Sequence, residues 1–374
     1  MQLKTQDYIK QFDMKVTFDS QIFTLQEYGG ISRYICSLAS HLTNVEGVKG
    51  NVVAPFYINA YLDKLPKQLV FGIKVPKIPK VGMIVHLCSL FLARFIIARQ
   101  APQIIHETYF SPKLMAPKGI PTVLTVYDMI DELFTSKVVN KHLDWKRKAT
   151  QKADHIICIS ECTRKDLIKL YDLPEDKVSV VYLGFDALIP SVAKIEKTKP
   201  YLFYVGHRGD YKNFEGFLRA YAKSSWLSKQ FDVVCFGGGA FSNVEKKLFK
   251  ELNLSDEQLH QMTGNDEHLA SYYRDATLFI YPSLYEGFGI PPLEAMSLGC
   301  PVACSNTSSI PEVVGDAAEY FDPNDTESIR AAMELVLTST ERQTDLINKG
   351  YERCTQFTWE RCAQETLAVY RDLL

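Results

Sequence analysis

Short apolar runs alternate with amphipathic helical patterns along nearly the whole chain, and this alternation restricts the fold more than any other feature of the sequence. Such runs, separated by patterns like that of residues 31–42, are typical of buried parallel strands joined by crossover helices. Strands are predicted at 15–18, 51–54, 103–106, 122–126, 155–159, 178–182, 201–205, 232–236, 258–263, 278–281, 302–304 and 318–321. The sequence therefore predicts an α/β fold built on parallel sheets.

The alternation stops between residues 184 and 200, in a lysine- and proline-containing stretch that is typical of a linker between domains. A chain of 374 residues is long enough for two domains with separate cores. We expect an extension at residues 1–13, a first Rossmann-like domain at 14–185 and a second at 186–357. Ligands of open parallel sheets bind at the carboxyl ends of the strands, so a binding cleft is expected between the two domains.

Charge and cysteine content exclude several classes of protein. The 42 Lys and Arg residues nearly balance 44 Asp and Glu, so no overall field favours nucleic acid as a partner, and any anion site must be local. The nine cysteines are scattered and include no C-x-x-C, which favours a reducing compartment over a disulfide framework or a zinc site. The polar amino terminus lacks the apolar core of a secretory signal. A cytoplasmic location is expected.

The segment 282–301 carries the strongest functional signal. Gly287 and Gly289 allow the backbone to approach a ligand closely, and the Pro-Pro pair that follows suits the first turn of a helix. The free amides of a helix N-terminus favour a phosphate group. Glu286 and Glu294 flank this terminus and would repel a phosphate, so we expect them to bind hydroxyl groups instead.

The spacing Glu286-x7-Glu294, with Gly-Phe-Gly-x-Pro between the two carboxylates, resembles the E-x7-E signature of the family 4 retaining glycosyltransferases, which have the GT-B fold. Further segments resemble the family in order and spacing, at 29–31, 159–163, 205–213 and 305–312. The resemblance extends over residues 14–374 and points to relatives of the mannosyl- and rhamnosyltransferase type in polysaccharide and lipopolysaccharide biosynthesis. It implies two Rossmann-like domains facing across a cleft, and a terminal helix at 358–374 that packs back on the first domain.

The resemblance also implies roles for residues of the second domain. Glu286 would contact hydroxyls of the donor sugar, and Glu294 the ribose of the nucleotide. Arg208 and Lys212, in the turn after the strand at 201–205, would bind the donor diphosphate, and cations there would stabilise the charge of the leaving group. The backbone that completes the donor site would come from Gly206, Gly287, Phe288, Gly289 and Ile290.

In the first domain the resemblance places a glycine loop, Gly29 and Gly30, against the sugar or its phosphate. Asp128 is the candidate for a hydroxyl contact of donor or acceptor, and His106 for a hydrogen bond in the cleft. Tyr127 stands where many relatives have a histidine, which puts in doubt a histidine contact to the sixth carbon of the sugar. For Asp128 and His106 the alternative is a strand-end residue whose polar atoms bond within the protein, and for Gly29 and Gly30 the alternative is a simple turn.

The expected activity is transfer of a hexose-type sugar from a GDP-, UDP- or dTDP-sugar to a hydroxyl of a glycan or lipid-linked glycan, with retention of the anomeric configuration. The chain contains no D-x-D sequence, so no metal site and no other cofactor is expected. Alternatives are a sugar-nucleotide epimerase or phosphorylase on the same fold, and a non-catalytic module that binds nucleotide sugars.

The segment 74–98 has two interpretations. Its apolar part, 81–98, is preceded by Lys74, Lys77 and Lys80 and is interrupted by Arg94. Periodicity alone favours a helix packed on the first sheet. The alternative is a helix that rests on an anionic membrane surface, which would place the protein at the inner face of the membrane.

Overall fold

A computed structural model describes residues 14–77, 81–111, 115–134, 141–191, 195 and 199–374. The expected extension at 1–13 lies outside the described residues, as do Lys80 and parts of the stretch between the domains. The described chain forms two parallel α/β sheets, which confirms the predicted fold class.

The first domain has a seven-stranded sheet in the order β3-β2-β1-β4-β5-β6-β7. Its strands are β1 Met14–Phe18, β2 Val48–Tyr57, β3 Val70–Lys74, β4 Ile104–Glu107, β5 Thr122–Val126, β6 His155–Cys158 and β7 Val178–Val180. Its helices are α1 Gln21–Leu25, α2 Gly30–Leu42, α3 Gly82–Gln100, α4 Ile130–Phe134, α5 Lys141–Lys152 and α6 Glu161–Tyr171. The edge strand β3 was not predicted, because most of its residues are exposed and leave no buried pattern in the sequence.

The second domain has a six-stranded sheet in the order β10-β9-β8-β11-β12-β13. Its strands are β8 Tyr201–Val205, β9 Asp232–Phe236, β10 Leu259–Met262, β11 Leu278–Tyr281, β12 Val302–Ser305 and β13 Glu319–Phe321. The remaining helices are α7 Phe214–Lys223, α8 Ser225–Gln230, α9 Asn243–Glu251, α10 Asp266–Asp275, α11 Ile290–Ser297, α12 Ile310–Val314, α13 Thr326–Thr338, α14 Thr340–Cys354 and α15 Trp359–Asp372.

Helices cover both faces of each sheet, so central strands such as β5 and β11 are buried along their whole length. This burial explains why those strands are continuous apolar runs rather than alternating ones. In both sheets the first strand of the domain lies in the middle, and the chain reverses its direction of growth beside it. That reversal opens a crevice at the carboxyl ends of the strands, where a ligand can reach the backbone.

The last helix, α15, crosses back and packs in the core of the first domain. His106 holds it there: the Nδ1 atom lies 2.6 Å from the Tyr370 hydroxyl, and Nε2 lies 2.8 Å from Thr125 Oγ1. Burial lowers the pKa of His106 to about 3, so the ring is neutral. The expected hydrogen bond of His106 in the cleft is therefore wrong, because both ring nitrogens already bond inside the core.

Candidate active site

A cavity of about 360 Å³ lies between the two domains at the carboxyl ends of their strands. The first domain contributes the start of α2 and the residues after β5, and the second contributes the loop between β11 and α11 together with its first helical turn. The cavity is therefore built from the segments that carry most of the predicted site residues. Its lining includes Gly30, Asp128, Glu286, Gly287, Phe288, Ile290 and Glu294.

The turn before α11 brings the two domains into direct contact. A Cβ atom at Gly287 would lie 1.9 Å from the backbone oxygen of Tyr127 and 2.9 Å from Cβ of Asp128, so only glycine fits. Gly289 has a φ of 121°, also a glycine conformation, and lets the chain enter α11 with its prolines in the first turn. Phe288 is buried against Phe357. The chain forms this turn because glycine occupies the position of close approach and the position of positive φ, and proline occupies the first helical turn.

Glu286 and Lys212 form an ion pair at the floor of the cleft. Lys212 Nζ donates to Glu286 Oε1 at 2.6 Å, and both side chains are largely buried. The Lys212 ammonium also lies over the Tyr281 ring, 5.6 Å from its centroid. The backbone amide of Glu286 donates to Ser308 Oγ at 3.0 Å, which fixes the backbone of Glu286 beside the cavity. A cation and a carboxylate are thus held side by side.

Glu294, one turn into α11, is the second buried carboxylate of the cavity. It accepts a hydrogen bond of 3.1 Å from the Tyr273 hydroxyl. Burial raises the pKa of Glu294, and the charge of Arg33 across the cleft partly offsets this rise. Glu286 and Glu294 therefore line one cavity, at the spacing that the sequence motif led us to expect.

Arg208 does not join this group. Its Nε atom donates to Glu245 Oε1 at 2.5 Å, and its NH1 and NH2 atoms donate to the backbone oxygens of Gly237 and Gly239 at 2.9 and 2.8 Å. The guanidinium also packs on the Phe241 ring. These bonds hold Arg208 on the glycine turn after β9, and its predicted contact with the diphosphate stays a prediction.

The glycines of the two other loops have different surroundings. Gly206 ends β8 with a φ of 111° and packs beside the glycine turn after β9. Gly30 begins α2 on the cavity, and a Cβ there would meet nothing within 4 Å, so the backbone leaves room for a ligand. A Cβ at Gly29 would instead collide with the Gln26 side chain.

Asp128 and Tyr127 form the first-domain wall of the cavity. Asp128 Oδ1 accepts from the amide of Ile130 at 3.1 Å, and burial raises the pKa of Asp128 while the Lys146 charge lowers it. The Tyr127 hydroxyl is buried and has no hydrogen-bond partner among the described residues.

Arg33 is the residue of the cavity that motif reasoning missed. It lies one turn into α2, three residues after Gly30, and lines the cavity opposite Glu294. Its partner in the structure is Asp186 at 4.0 Å, and both side chains are partly exposed, so this ion pair is weak. In the sequence, the signal for Arg33 was its position on the cleft side of a predicted amphipathic helix.

Contacts across the cleft hold the site closed. Glu312 of α12 accepts hydrogen bonds from the amides of Glu161 and Cys162 at 2.9 and 3.1 Å, so a carboxylate of the second domain caps the N-terminus of α6 in the first. The Tyr285 hydroxyl donates to Asp166 at 2.7 Å. Within the described ranges, no group of three or more His, Cys, Asp or Glu side chains is arranged to hold a metal ion.

Two Rossmann-like domains closed on a cavity lined by carboxylates and cations define a glycosyltransferase of the GT-B class. A family model described as Glycosyltransferase Family 4 matches residues 28–187, and one described as Glycosyl transferases group 1 matches residues 187–353. The chain belongs to the family 4 glycosyltransferases, which confirms the resemblance seen in the sequence.

Individual relatives agree with this assignment. The chain is 28% identical over 284 residues to O-antigen chain mannosyltransferase B of Escherichia coli, covering 70% of this chain and 74% of that protein. Sucrose-phosphate synthase of Thermosynechococcus elongatus has the same fold, with a TM-score of 0.74 at 19% identity over 96% of this chain and 99% of that one. HepE of Anabaena, solved with UDP and glucose, gives a TM-score of 0.71 at 15% identity over 96% of this chain and 100% of that one.

Proposed function

We propose that the protein is a retaining, metal-independent hexosyltransferase that moves a sugar from a nucleoside diphosphate sugar to a hydroxyl of a glycan or lipid-linked glycan. The observation that carries the proposal is the cleft itself. Glu286, paired with Lys212, and the buried Glu294 line one cavity, which Gly287 closes against the strand end at Tyr127. The reaction would take place in the cytoplasm.

The proposed donor lies along the start of α11. Its diphosphate meets Lys212 and the free amides of the helix N-terminus, and its ribose hydroxyls meet the Glu294 carboxylate. Glu286 accepts hydrogen bonds from the sugar. Arg33, on the opposite wall, adds a second cation from the first domain. Because Arg208 is held by Glu245, we assign the diphosphate charge to Lys212 and Arg33 rather than to Arg208.

The proposed chemistry is a front-face substitution. The bond between the anomeric carbon and the diphosphate oxygen breaks, the acceptor oxygen bonds to the same face of that carbon, and the acceptor proton passes to the leaving phosphate. Such a reaction depends mainly on stabilising the departing negative charge, which cations in a closed and partly dry site do well. We assign a hydroxyl of the donor or acceptor, beside the reacting carbon, to Asp128, whose pKa is raised by burial.

We infer a mannose-type sugar, because the E. coli relative of 28% identity is named as an O-antigen mannosyltransferase. The nucleotide base has to be identified by experiment, because GDP-, UDP- and dTDP-sugars all present the same diphosphate to Lys212. Thermal shift with a panel of these donors identifies the one that binds, because a ligand specific for the folded state raises the melting temperature by mass action.

The test is release of nucleoside diphosphate from the selected donor, with and without a glycan acceptor and with EDTA present. We expect fast release only with the acceptor, no effect of EDTA, and a product whose anomeric configuration, read by NMR, equals that of the donor. An epimerised nucleotide sugar formed without acceptor would indicate the epimerase alternative. Donor binding without turnover for any acceptor would indicate the binding-module alternative.

A further inference from the structure

Helix α3 exposes an unusual amount of apolar surface. Six large apolar side chains of this one helix are exposed, among them Phe91 at 77% and Met83 at 68%, the others being Ile84, Leu87, Leu92 and Phe95. Scattered single apolar residues are normal on a protein surface, whereas a contiguous row of this kind marks an interaction site. Within the described part of the chain, α3 is also the one helix long and apolar enough to cross a bilayer.

The opposite face of α3 is fixed to the first sheet. Ala93 and Ile97 are buried against Val53 of β2 and Ile105 of β4, and the Ser89 hydroxyl donates to the backbone oxygen of Phe56 at 2.9 Å. Insertion of α3 across a bilayer would strip this face from the sheet and expose the buried strands. The helix can therefore offer its exposed row to a surface but cannot leave the domain.

The stretch of sequence that contains α3 is basic. Residues 64–106 contain seven Lys and Arg residues and no Asp or Glu, although the whole chain has 42 basic and 44 acidic residues. One of the seven, Lys80, lies outside the described residues. Lys74 and Lys77 come before the helix and are exposed, Arg94 projects from its exposed side, and Arg99 stacks over the Phe95 ring at 4.4 Å. Lys74 pairs with Asp63 at 3.0 Å and Lys77 with Glu27 at 3.5 Å, but both pairs are exposed and therefore weak, so the edge of the apolar row keeps an excess of cations. Such a face complements an anionic lipid surface.

We propose that α3 lies in the plane of an anionic phospholipid bilayer, with its exposed row between the head groups and the acyl chains and the neighbouring Lys and Arg side chains on the lipid phosphates. The observations favour this partner over a second copy of the chain, because a face with an excess of cations would repel its own copy. Membrane binding needs no catalytic residue, so it stands apart from the proposed transfer reaction.

A second cavity adjoins this membrane face. It measures about 1030 Å³ and is lined mainly by apolar side chains of α1, α3, α5 and the segment after β4, including Leu25, Leu87, Leu90, Phe110 and Trp145. Tyr109 also lines it. Burial raises the pKa of Tyr109, and the charges of Asp131 and Asp128 add to the rise, so the cavity reaches close to the wall of the cleft. A bilayer under α3 would cover the cavity and bring the cleft near lipid-linked acceptors.

The test is co-sedimentation of the full chain with vesicles of phosphatidylcholine alone and of phosphatidylcholine mixed with phosphatidylglycerol. The wild type should sediment only with the anionic vesicles, and added salt should release it. Phe91→Ser/Phe95→Ser and Lys77→Glu/Arg94→Glu should each weaken binding roughly tenfold or more, through lost apolar contact in the first case and reversed charge in the second. These side chains are exposed, so both variants should melt as the wild type does.

Matched controls come from exposed residues of the second domain: Val244→Ser for the apolar change and Lys246→Glu/Lys247→Glu for the charge change should leave vesicle binding unaltered. A wild type that stays in the supernatant with anionic vesicles, or α3 variants that bind as the wild type does, would overturn the proposal. So would a wild-type dimer that dissociates in Phe91→Ser/Phe95→Ser, or binding that resists alkaline carbonate. Donor turnover with a soluble acceptor, measured on the same samples, reports separately on the proposed transferase.

Discussion

At the scale of single residues, the site depends on which charged side chains form ion pairs with each other. Lys212 and Arg208 are four positions apart, and both were expected on the diphosphate. In the structure Lys212 pairs with Glu286 at the cavity, whereas Arg208 pairs with Glu245 in the capping box of α9. The motif alone could not show this, because Glu245 is distant in sequence from the turn that carries Arg208. The sequence shows which residues carry a charge, but it does not show which of them pair in the folded chain.

Replacing the cation at the cavity should slow transfer. We expect Lys212→Ala to lower kcat/KM by roughly 10²- to 10³-fold, as for the loss of one electrostatic donor to a developing anion. Steady-state kinetics with the selected donor measures this effect. Lys229→Ala, on the exposed side of α8, is the matched control and should behave as the wild type. Equal kinetics for Lys212→Ala and wild type would remove Lys212 from the site.

Glu107 gives a prediction for stability against pH. Its carboxyl is buried beside Asp19, and burial with the Asp19 charge raises the pKa of Glu107 from 4.5 to about 8. The native state keeps a proton that the unfolded chain releases within this range, so the free energy of unfolding should fall as the pH rises from 4.5 to about 8.

In the Glu107→Gln variant this side chain cannot ionise. Its free energy of unfolding should therefore fall less over the same pH range, which denaturant unfolding at several pH values would measure. The exposed Glu257→Gln should follow the wild-type curve. Parallel curves for Glu107→Gln and wild type would show that Glu107 does not retain its proton.

At the scale of elements, the turn into α11 shows what the sequence does predict. Gly287, Gly289 and the following prolines indicated a strand, a tight turn and a helix, and the structure contains all three. The edge strand β3 was missed because its side chains are mostly exposed. A serine near the start of a helix suits a cap, but the Ser32 hydroxyl donates to the backbone oxygen of Gly29 at 3.1 Å and α2 has no side-chain cap. Buried elements leave a pattern in the sequence, whereas exposed edges and caps depend on local geometry.

A side chain at Gly287 should keep the domains apart. Gly287→Ala places a Cβ atom within 1.9 Å of the Tyr127 backbone oxygen, and backbone on both sides leaves little room to yield. We expect kcat/KM to fall at least roughly tenfold, as for misplacement of the reacting groups, while each domain stays folded. Kinetics and small-angle scattering together test this, with Gly82→Ala, at an open position on α3, as the control. A compact, fully active Gly287→Ala protein would contradict the role of this contact.

At the scale of the whole molecule, the two sheets are separate units joined by several contacts. α15 returns from the second domain to the core of the first, Glu312 caps α6 across the cleft, and the turn at Gly287 abuts Tyr127. The sequence predicted two domains and a cleft from the break in its alternating pattern. It could not show which residues would meet across that cleft, because such contacts join segments far apart in the chain.

The central claim is that one interdomain cavity holds the sugar nucleotide. A crystal structure with the bound donor, soaked without any divalent metal, tests it most directly. The account predicts density in the cavity of about 360 Å³, with the diphosphate on Lys212 and the start of α11, and the ribose on Glu294. Density for the donor in another part of the molecule, or binding that appears only when magnesium is added, would contradict it.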